Sequence, residues 1–437
     1  MSALPALLRG LLVSGVLTAA THSPAALAGR QADTAPAAAT APETIRIYLA
    51  TYGPGAAVWE KFGHNAIWVR DTRTGSTVSY NWGMFSFDEP GFVPRLMRGS
   101  MLYWMMPQPA AREAENYVAS GRAIRLQELN IAPARARALN EFLQWHARPE
   151  NAYYEYDYFR DNCSTRVRDA IDRATGGLLG AVLTPRATSH TFRSESLRLT
   201  AEAPAVFTGL ELGMADAVDR PLTEWQLAFI PMRLADAVAT LTVADADRAV
   251  PLVLSDTVIF EGSGFGRQQA PDRTLLYLLG GILLGAAFML SAVLARHGGG
   301  ARVPFALIGG IAFLLVGFFG LLLVLLWGGT GHVVTYRNEN LFQVNPLALG
   351  LAVLAPLAAF GGARARRAAL LLAALLATLS LLGLVVQIFP AFDQYNRHVL
   401  ALMVPAHLGM LWGLYRLLDG APSGLGDGAA ATRRDPR

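Results

Sequence analysis

From residue 274 to residue 415 the chain consists mostly of Leu, Ala, Gly, Val and Phe in long blocks, and this stretch limits the fold more than any motif. Apolar runs near 274–295, 304–327, 346–362, 368–389 and 398–418 approach the ~20 residues a helix needs to cross about 30 Å of hydrocarbon. Five transmembrane helices are expected. The third run is short and contains Pro356, so its helix is expected to be the least regular. Up to about residue 262, charged and polar residues are interspersed with apolar ones, the pattern of a domain that folds in water. The two parts have different solvents and must be read separately.

At the N-terminus Arg9 precedes an apolar run over 11–20 and small residues ending in Ala26, Leu27 and Ala28. This is the pattern of a secretory signal over 1–28, with an uncleaved signal anchor as the alternative. Residues 29–42 hold little to bury and read as a flexible spacer. An exported domain is then expected over 43–262, a linker over 263–273, a transmembrane domain over 274–418 and a cytoplasmic tail over 419–437.

Arginine placement tests that orientation. With the N-terminal domain outside, the inner segments hold Arg296, Arg302, Arg364, Arg366, Arg367, Arg416, Arg433, Arg434 and Arg437, whereas the outer loops hold only Arg337 and Arg397. This bias agrees with the positive-inside rule and is independent of the signal pattern. The net charge of +4 comes from arginines that are scattered or sit at membrane edges, so no nucleic-acid partner is expected.

Cys163 is the single cysteine, which excludes an internal disulfide and leaves a lone thiol in an oxidising compartment. Its surroundings suggest a use for it. Residues 153–159 alternate aromatic and acidic side chains as a strand would, Asp161 and Asn162 supply a helix cap, and Cys163 opens a helix ending at Gly176 and Gly177. A thiol at a helix N-terminus is biased toward thiolate by unpaired N–H groups and the helix dipole, and the same N–H groups can hold an oxyanion. Arg166 and Arg168 add positive potential or are simply solvated. A base is needed, and His64 heads the strand pattern HNAIWVR. Taken alone, a histidine there is more often structural.

Residues 44–52, 65–70 and 76–82 read as a small antiparallel sheet. Residues 110–122 and 133–147 read as helices, the second with Pro133 in its first turn and Ala138, Phe142 and Trp145 on one face. Trp82, Phe85, Phe87, Phe92, Tyr103 and Trp104 form either an apolar groove for a ligand or ordinary core. The outer loop 328–345 is unusually polar: His332, Tyr336, Arg337, Asn338, Glu339, Asn340 and Asn345 line a substrate site or form a solvated interfacial loop. Asp393, Tyr395, Asn396, Arg397 and His398 pose the same question in the next outer loop. Dispersed histidines and one cysteine give no metal-ligand spacing, and no lysine follows the glycine runs, so neither metal nor cofactor is expected.

The segments GHNAIWVR, YNWGMFSF and FRDNCSTRVRD resemble the exported domain of the bacterial lipoprotein N-acyltransferase Lnb family, over about residues 44–262. The order of His before Cys is also similar to circularly permuted papain-like enzymes related to lecithin:retinol acyltransferase. The resemblance implies an α+β fold, a permuted papain-like exported thiol-enzyme domain followed by an all-α transmembrane domain of about five helices. It implies His64 as base, Asn81 as orienting residue and Cys163 as nucleophile, with Asn162, Ser164, Arg166 and Tyr80 as candidate oxyanion or substrate contacts. At the Asn81 position the permuted enzymes often use His, and Asn81 is equally readable as a turn or edge-strand residue. The implied reaction moves an acyl chain from a phospholipid, through a Cys163 thioester, to the N-terminal amine of a diacylated lipoprotein at the outer face of the inner (cytoplasmic) membrane. An exported cysteine hydrolase (peptidase or phospholipase) and a non-catalytic envelope protein are the alternatives.

Overall fold

The structure is a computed structural model that describes residues 45–245 and 248–419; the expected signal, spacer and nearly all of the expected tail lie outside these residues. The exported half is built on strands β1 (Ile45–Tyr52), β2 (His64–Asp71), β3 (Thr77–Met84), β4 (Met101–Pro109), β5 (Ile124–Leu129), β6 (Tyr153–Tyr156), β7 (Thr242–Asp245), β8 (Arg248–Pro251) and β9 (Val253–Phe260). Among the described residues, seven of these form one sheet in the order β6-β4-β3-β2-β1-β5-β9, antiparallel throughout, while β7 and β8 pair separately.

Helices α1 (Phe92–Arg98), α2 (Ala110–Ala119), α3 (Pro133–His146), α4 (Cys163–Thr175) and, later in the chain, α7 (Pro231–Ala239) pack on the sheet, while α5 (Phe192–Thr200) and α6 (Pro204–Gly213) pack in separate clusters. Strand alternation divides the burial between its two faces. Ile47, Leu49, Ile67 and Val69 pack with Leu143 of α3, Val167 and Ile171 of α4 and Leu234 of α7. Ala50, Tyr52, Ala66 and Trp68 pack on the opposite face with Ala110 and Tyr117 of α2. Helix α3 buries Ala136, Leu139 and Leu143 rather than the expected stripe of Ala138, Phe142 and Trp145. Both stripes have helical spacing, but the aromatic one finds partners at the surface: Arg173 lies over the Phe142 ring at 4.6 Å, and Trp145 is exposed.

Helices α8 (Thr274–Ala295), α9 (Val303–Gly329), α10 (Ala348–Phe360), α11 (Ala363–Val385) and α12 (Arg397–Asp419) form the apolar half. Among the described residues four helices are long and apolar enough to cross a membrane, in the regions of α8, α9, α11 and α12. The third expected span differs. Helix α10 is 13 residues long, about 20 Å, which is short of the hydrocarbon thickness. The chain before it and its first turn already run beside α9: a Cβ on Gly320 would lie 2.5 Å from the Val344 carbonyl oxygen, and one on Gly317 would lie 2.5 Å from the Leu349 nitrogen in that first turn. Non-helical backbone is tolerated there because protein surrounds it. Gln343 illustrates this, donating to the Ser380 carbonyl at 3.0 Å and accepting from the Ser380 hydroxyl at 2.5 Å.

The two halves meet at a polar seam. The carbonyls at the C-terminus of α6 lack partners within the helix, and the outer loop after α9 supplies them. Asn338 Nδ2 donates to Leu212 and Gly213, and Asn340 Nδ2 to Glu211 and Leu212, at 2.9 to 3.1 Å. Buried Arg193 grips Asp219 through two hydrogen bonds of 2.6 and 3.0 Å and also donates to the Met214 carbonyl. Asp219 in turn accepts the Tyr395 N–H at 3.0 Å. His398, at the head of α12, lies 3.0 Å from Glu211 with both side chains buried. Residues 263–273 follow the domain surface rather than spanning free space: the Ser263 N–H bonds the Gly121 carbonyl and Arg273 covers the Phe207 ring at 4.3 Å.

Candidate active site

Helix α4 begins as the sequence suggests. Asn162 has extended backbone, and its Oδ1 accepts the N–H groups of Ser164 and Thr165 at 2.9 Å each. The Thr165 hydroxyl completes the box by accepting the Asn162 N–H at 2.8 Å. The Asn162 amide also donates to the Tyr158 and Phe229 carbonyls. Its side-chain hydrogen-bonding capacity is therefore fully used, the oxygen on the cap and the amide on the flanking loops. Among the described residues the Cys163 N–H has no acceptor.

A buried set of contacts joins this helix end to β2. The Ser164 hydroxyl lies 2.8 Å from Asn65 Oδ1 and 2.7 Å from the Ala228 carbonyl. Asn65 Nδ2 donates to Thr51 Oγ1 on β1 at 2.8 Å. His64, one residue before Asn65, points to the opposite face of the sheet. There its Nε2 lies 2.8 Å from Asn81 Oδ1 on β3. Asn81 Nδ2 donates to Ser79 Oγ at 3.1 Å, which leaves Oδ1 as the acceptor and places the proton on His64 Nε2. His64 Nδ1 is then free to exchange a proton with sulfur.

Burial disfavours a Cys163 thiolate, but the adjacent His64 charge, the hydrogen bond between the two side chains, and the N–H groups of Asn65 and Ser164 outweigh it and hold the thiol below its ordinary range. Burial likewise disfavours an imidazolium at His64, yet the Cys163 charge and hydrogen bond raise it, helped by Glu113 and Asn81. The two groups favour each other's charged form. They titrate as a pair.

The structure thus brings His64, Asn81 and Cys163 together. The four flanking candidates are placed differently. Asn162 is the cap just described, and Ser164 gives the sulfur its backbone N–H while its hydroxyl ties α4 to β2. Arg166 is paired with Asp161 and lies over the Tyr154 ring at 4.2 Å. Tyr80 is in the core on the face of the sheet opposite Asn81.

Several residues at the site gave no distinct signal in the sequence. Gly83 has φ +85°, where the β3–β4 register shifts between Asn81 and Met84. A Cβ there would lie 3.4 Å from the Cys163 Cβ and 3.8 Å from its nitrogen, so glycine keeps space open beside the thiol and the free N–H. Behind His64 the rings of Tyr52 and Tyr117 stack at 3.7 Å. Glu113, buried beneath them, accepts from Trp68 Nε1 at 3.0 Å and Gln108 Nε2 at 3.1 Å. Only the strand register and the position of α2 bring these groups near the imidazole.

The aromatic residues divide between core and surface. Trp82 is buried, whereas Phe85 stacks on Tyr103 at 5.1 Å and Tyr103 on Tyr156 at 4.2 Å. The Tyr156 ring reaches the Gly83 position. At the other end Phe85 touches Phe87 and Trp59, which are exposed, as are Val93 and Met97 of α1. The C-terminus of α1 meets the loop after α9: the Gly331 N–H bonds the Arg98 carbonyl at 2.6 Å, and His332 Nε2 the Leu96 carbonyl at 2.9 Å. An apolar row therefore runs from α1, beside the loop that follows α9, to the thiol.

Among the described residues no group of His, Cys, Asp and Glu side chains is arranged to hold a metal ion. Residues 32–194 match the family model described as the Lnb N-terminal periplasmic domain, and this range contains His64, Asn81, Gly83 and Cys163. No curated protein and no solved structure matches the chain. The chain is thus a membrane protein whose extracytoplasmic N-terminal domain is similar to the Lnb N-terminal periplasmic domain, followed by helices long and apolar enough to cross a membrane.

Proposed function

We propose that the protein transfers a fatty acyl chain from a glycerophospholipid, through a thioester on Cys163, to the N-terminal α-amine of a diacylated lipoprotein at the outer face of the cytoplasmic membrane. One observation carries this reading: a thiol paired with an imidazole stands at the inner end of an aromatic row whose outer end, at α1, adjoins the loop that follows membrane helix α9.

In the first half-reaction the Cys163 thiolate attacks the ester carbonyl. The resulting oxyanion is held by the unpaired Cys163 N–H, in the space left open by Gly83. As the tetrahedral intermediate collapses, the His64 imidazolium gives its proton to the leaving glycerol oxygen, and a lysophospholipid departs. In the second half-reaction neutral His64 takes a proton from the attacking amine, the amide forms and the thiolate leaves. Asn81 keeps the ring oriented through both steps by accepting from Nε2. Confining both substrates to one leaflet beside the same domain raises their encounter frequency.

Mass spectrometry of a lipoprotein N-terminus, in a host lacking its own N-acyltransferase, tests the reading. The parent protein should yield the N-acylated form, and Cys163→Ser and His64→Ala should yield none. N-acylated product from Cys163→Ser would refute the thioester route. Free fatty acid in place of amide would reassign the site to hydrolysis.

A further inference from the structure

A second feature borders the same membrane-facing loop. Between the exported domain and the loop after α9 lies a cavity of about 440 Å³, into which Arg160, Arg220 and Arg337 project with one carboxylate, Asp216. The three arginines come from distant parts of the chain: the turn before α4, the segment after α6, and the outer loop. All three are exposed, and among the described residues none of their guanidinium groups makes an ion pair or a hydrogen bond, so each is available to a ligand from solution. Three cations facing one acid give the cavity a positive potential that favours an anion.

We propose that this cavity binds the phosphate of a glycerophospholipid headgroup. The inference rests on the acyl-donor reading above and specifies how that donor is held. Guanidinium forks match phosphate oxygens in pairs. Arg337 is the only non-glycine among the described residues with left-handed backbone, at φ +57°. Its neighbours impose that conformation: the Tyr336 hydroxyl bonds the Thr330 carbonyl, and Asn338 is tied to the end of α6. Strained backbone fixed this way marks a position where side-chain placement matters. The loop follows the outer end of α9 at Gly329, the level at which lipid phosphates lie. Phe192, Leu222 and Val333 supply apolar wall for the glycerol end of a lipid.

The cavity also lies within reach of the thiol. Arg160 precedes Cys163 by three residues, so their Cα atoms are at most about 11 Å apart. The intervening turn is fixed, because Asp157 accepts the N–H groups of Phe159 and Arg160 at 2.9 and 2.8 Å and pairs by backbone with Asp161. A headgroup held by Arg160 is thereby set beside the residue that would take its acyl chain.

Lipid binding by full-length Cys163→Ala protein, which cannot form a thioester, tests this in detergent by native mass spectrometry. The probes are phosphatidylglycerol, a diacylglycerol with the same chains, and inorganic phosphate. The protein should retain phosphatidylglycerol at least ten-fold better than diacylglycerol. Adding Arg220→Gln and Arg337→Gln should erase that preference without changing diacylglycerol retention or the melting temperature. If the double variant unfolds, Arg160→Gln and Arg220→Gln as single changes should each weaken phosphatidylglycerol retention several-fold. An unchanged preference in the variants, or no preference in the parent, overturns the proposal. So does displacement of the lipid by millimolar inorganic phosphate, which would assign the cavity to a soluble anion. Because no chemistry occurs in the Cys163→Ala background, headgroup selectivity can survive a failure of the transferase reading, and the transferase reading can survive its loss.

Discussion

The Ser164 hydroxyl lies 2.8 Å from Asn65 Oδ1, so the residue after the candidate nucleophile is bonded to the residue after the candidate base. Both side chains are fully buried, and Asn65 is anchored further to Thr51 on β1. The contact fixes the height of α4 against β2, and with it the separation of sulfur and imidazole. Ser164→Ala would leave Asn65 Oδ1 and the Ala228 carbonyl without this donor. The expected cost is about 1–3 kcal/mol of stability. A misplaced sulfur should slow thioester formation by about 10²-fold. Thermal unfolding and single-turnover acylation followed by intact mass check the two effects separately, and full-rate acylation by the variant would refute the positioning role.

The paired charges predict how the thiol responds to pH. Thiolate accumulates as pH rises through the Cys163 pKa, which lies below its ordinary range. Imidazolium is lost as pH rises through the His64 pKa, which is raised above the usual value. Between the two the ion pair predominates, so iodoacetamide should alkylate Cys163 well below the ordinary thiol pKa of about 8.5. His64→Ala removes the partner while burial remains. Its alkylation profile should move to higher pH, and an unchanged profile would show that the helix end alone lowers the thiol.

Gly83→Ala tests the open space beside the thiol. The substitution places a Cβ 3.4 Å from that of Cys163 and forces a side chain onto backbone at φ +85°. The strain costs about 1–2 kcal/mol. If the Cys163 N–H holds the oxyanion, acylation should fall at least 10-fold while iodoacetamide alkylation, which develops no oxyanion, changes little. Equal loss in both assays would point to displacement of the sulfur instead.

Arg193→Ala is expected to loosen the seam between the exported domain and the membrane helices. Arg193 is buried and holds Asp219 together with the Met214 and Ala215 carbonyls. Removing it strands a largely buried carboxylate, at a cost of about 3–5 kcal/mol. Limited proteolysis in detergent should cut between residues 200 and 273 at protease concentrations that leave the parent intact.

The amino-acid sequence by itself determined whatever depends on neighbours along the chain. Long apolar blocks concentrated over 274–415, with arginines at alternate ends of the runs, set the two-solvent architecture. Asn162 before Cys163 set a helix start, because a cap is made by adjacent residues. His64 at the head of a strand was visible as β-branched and aromatic alternation. Tertiary structure decided the rest. That Asn81 rather than Tyr80 faces the imidazole follows from the β2–β3 register, since shifting that pairing by one residue would exchange the faces. The buried face of α3 was settled by which of two equally periodic stripes met the sheet. The third apolar run became a short helix preceded by irregular backbone because Gly320 lets that backbone, and Gly317 the start of the helix, approach α9. Arg160, Arg220 and Arg337 share a cavity only because the end of α6 docks on the outer loop, and no local pattern encodes a meeting of segments so far apart in the chain.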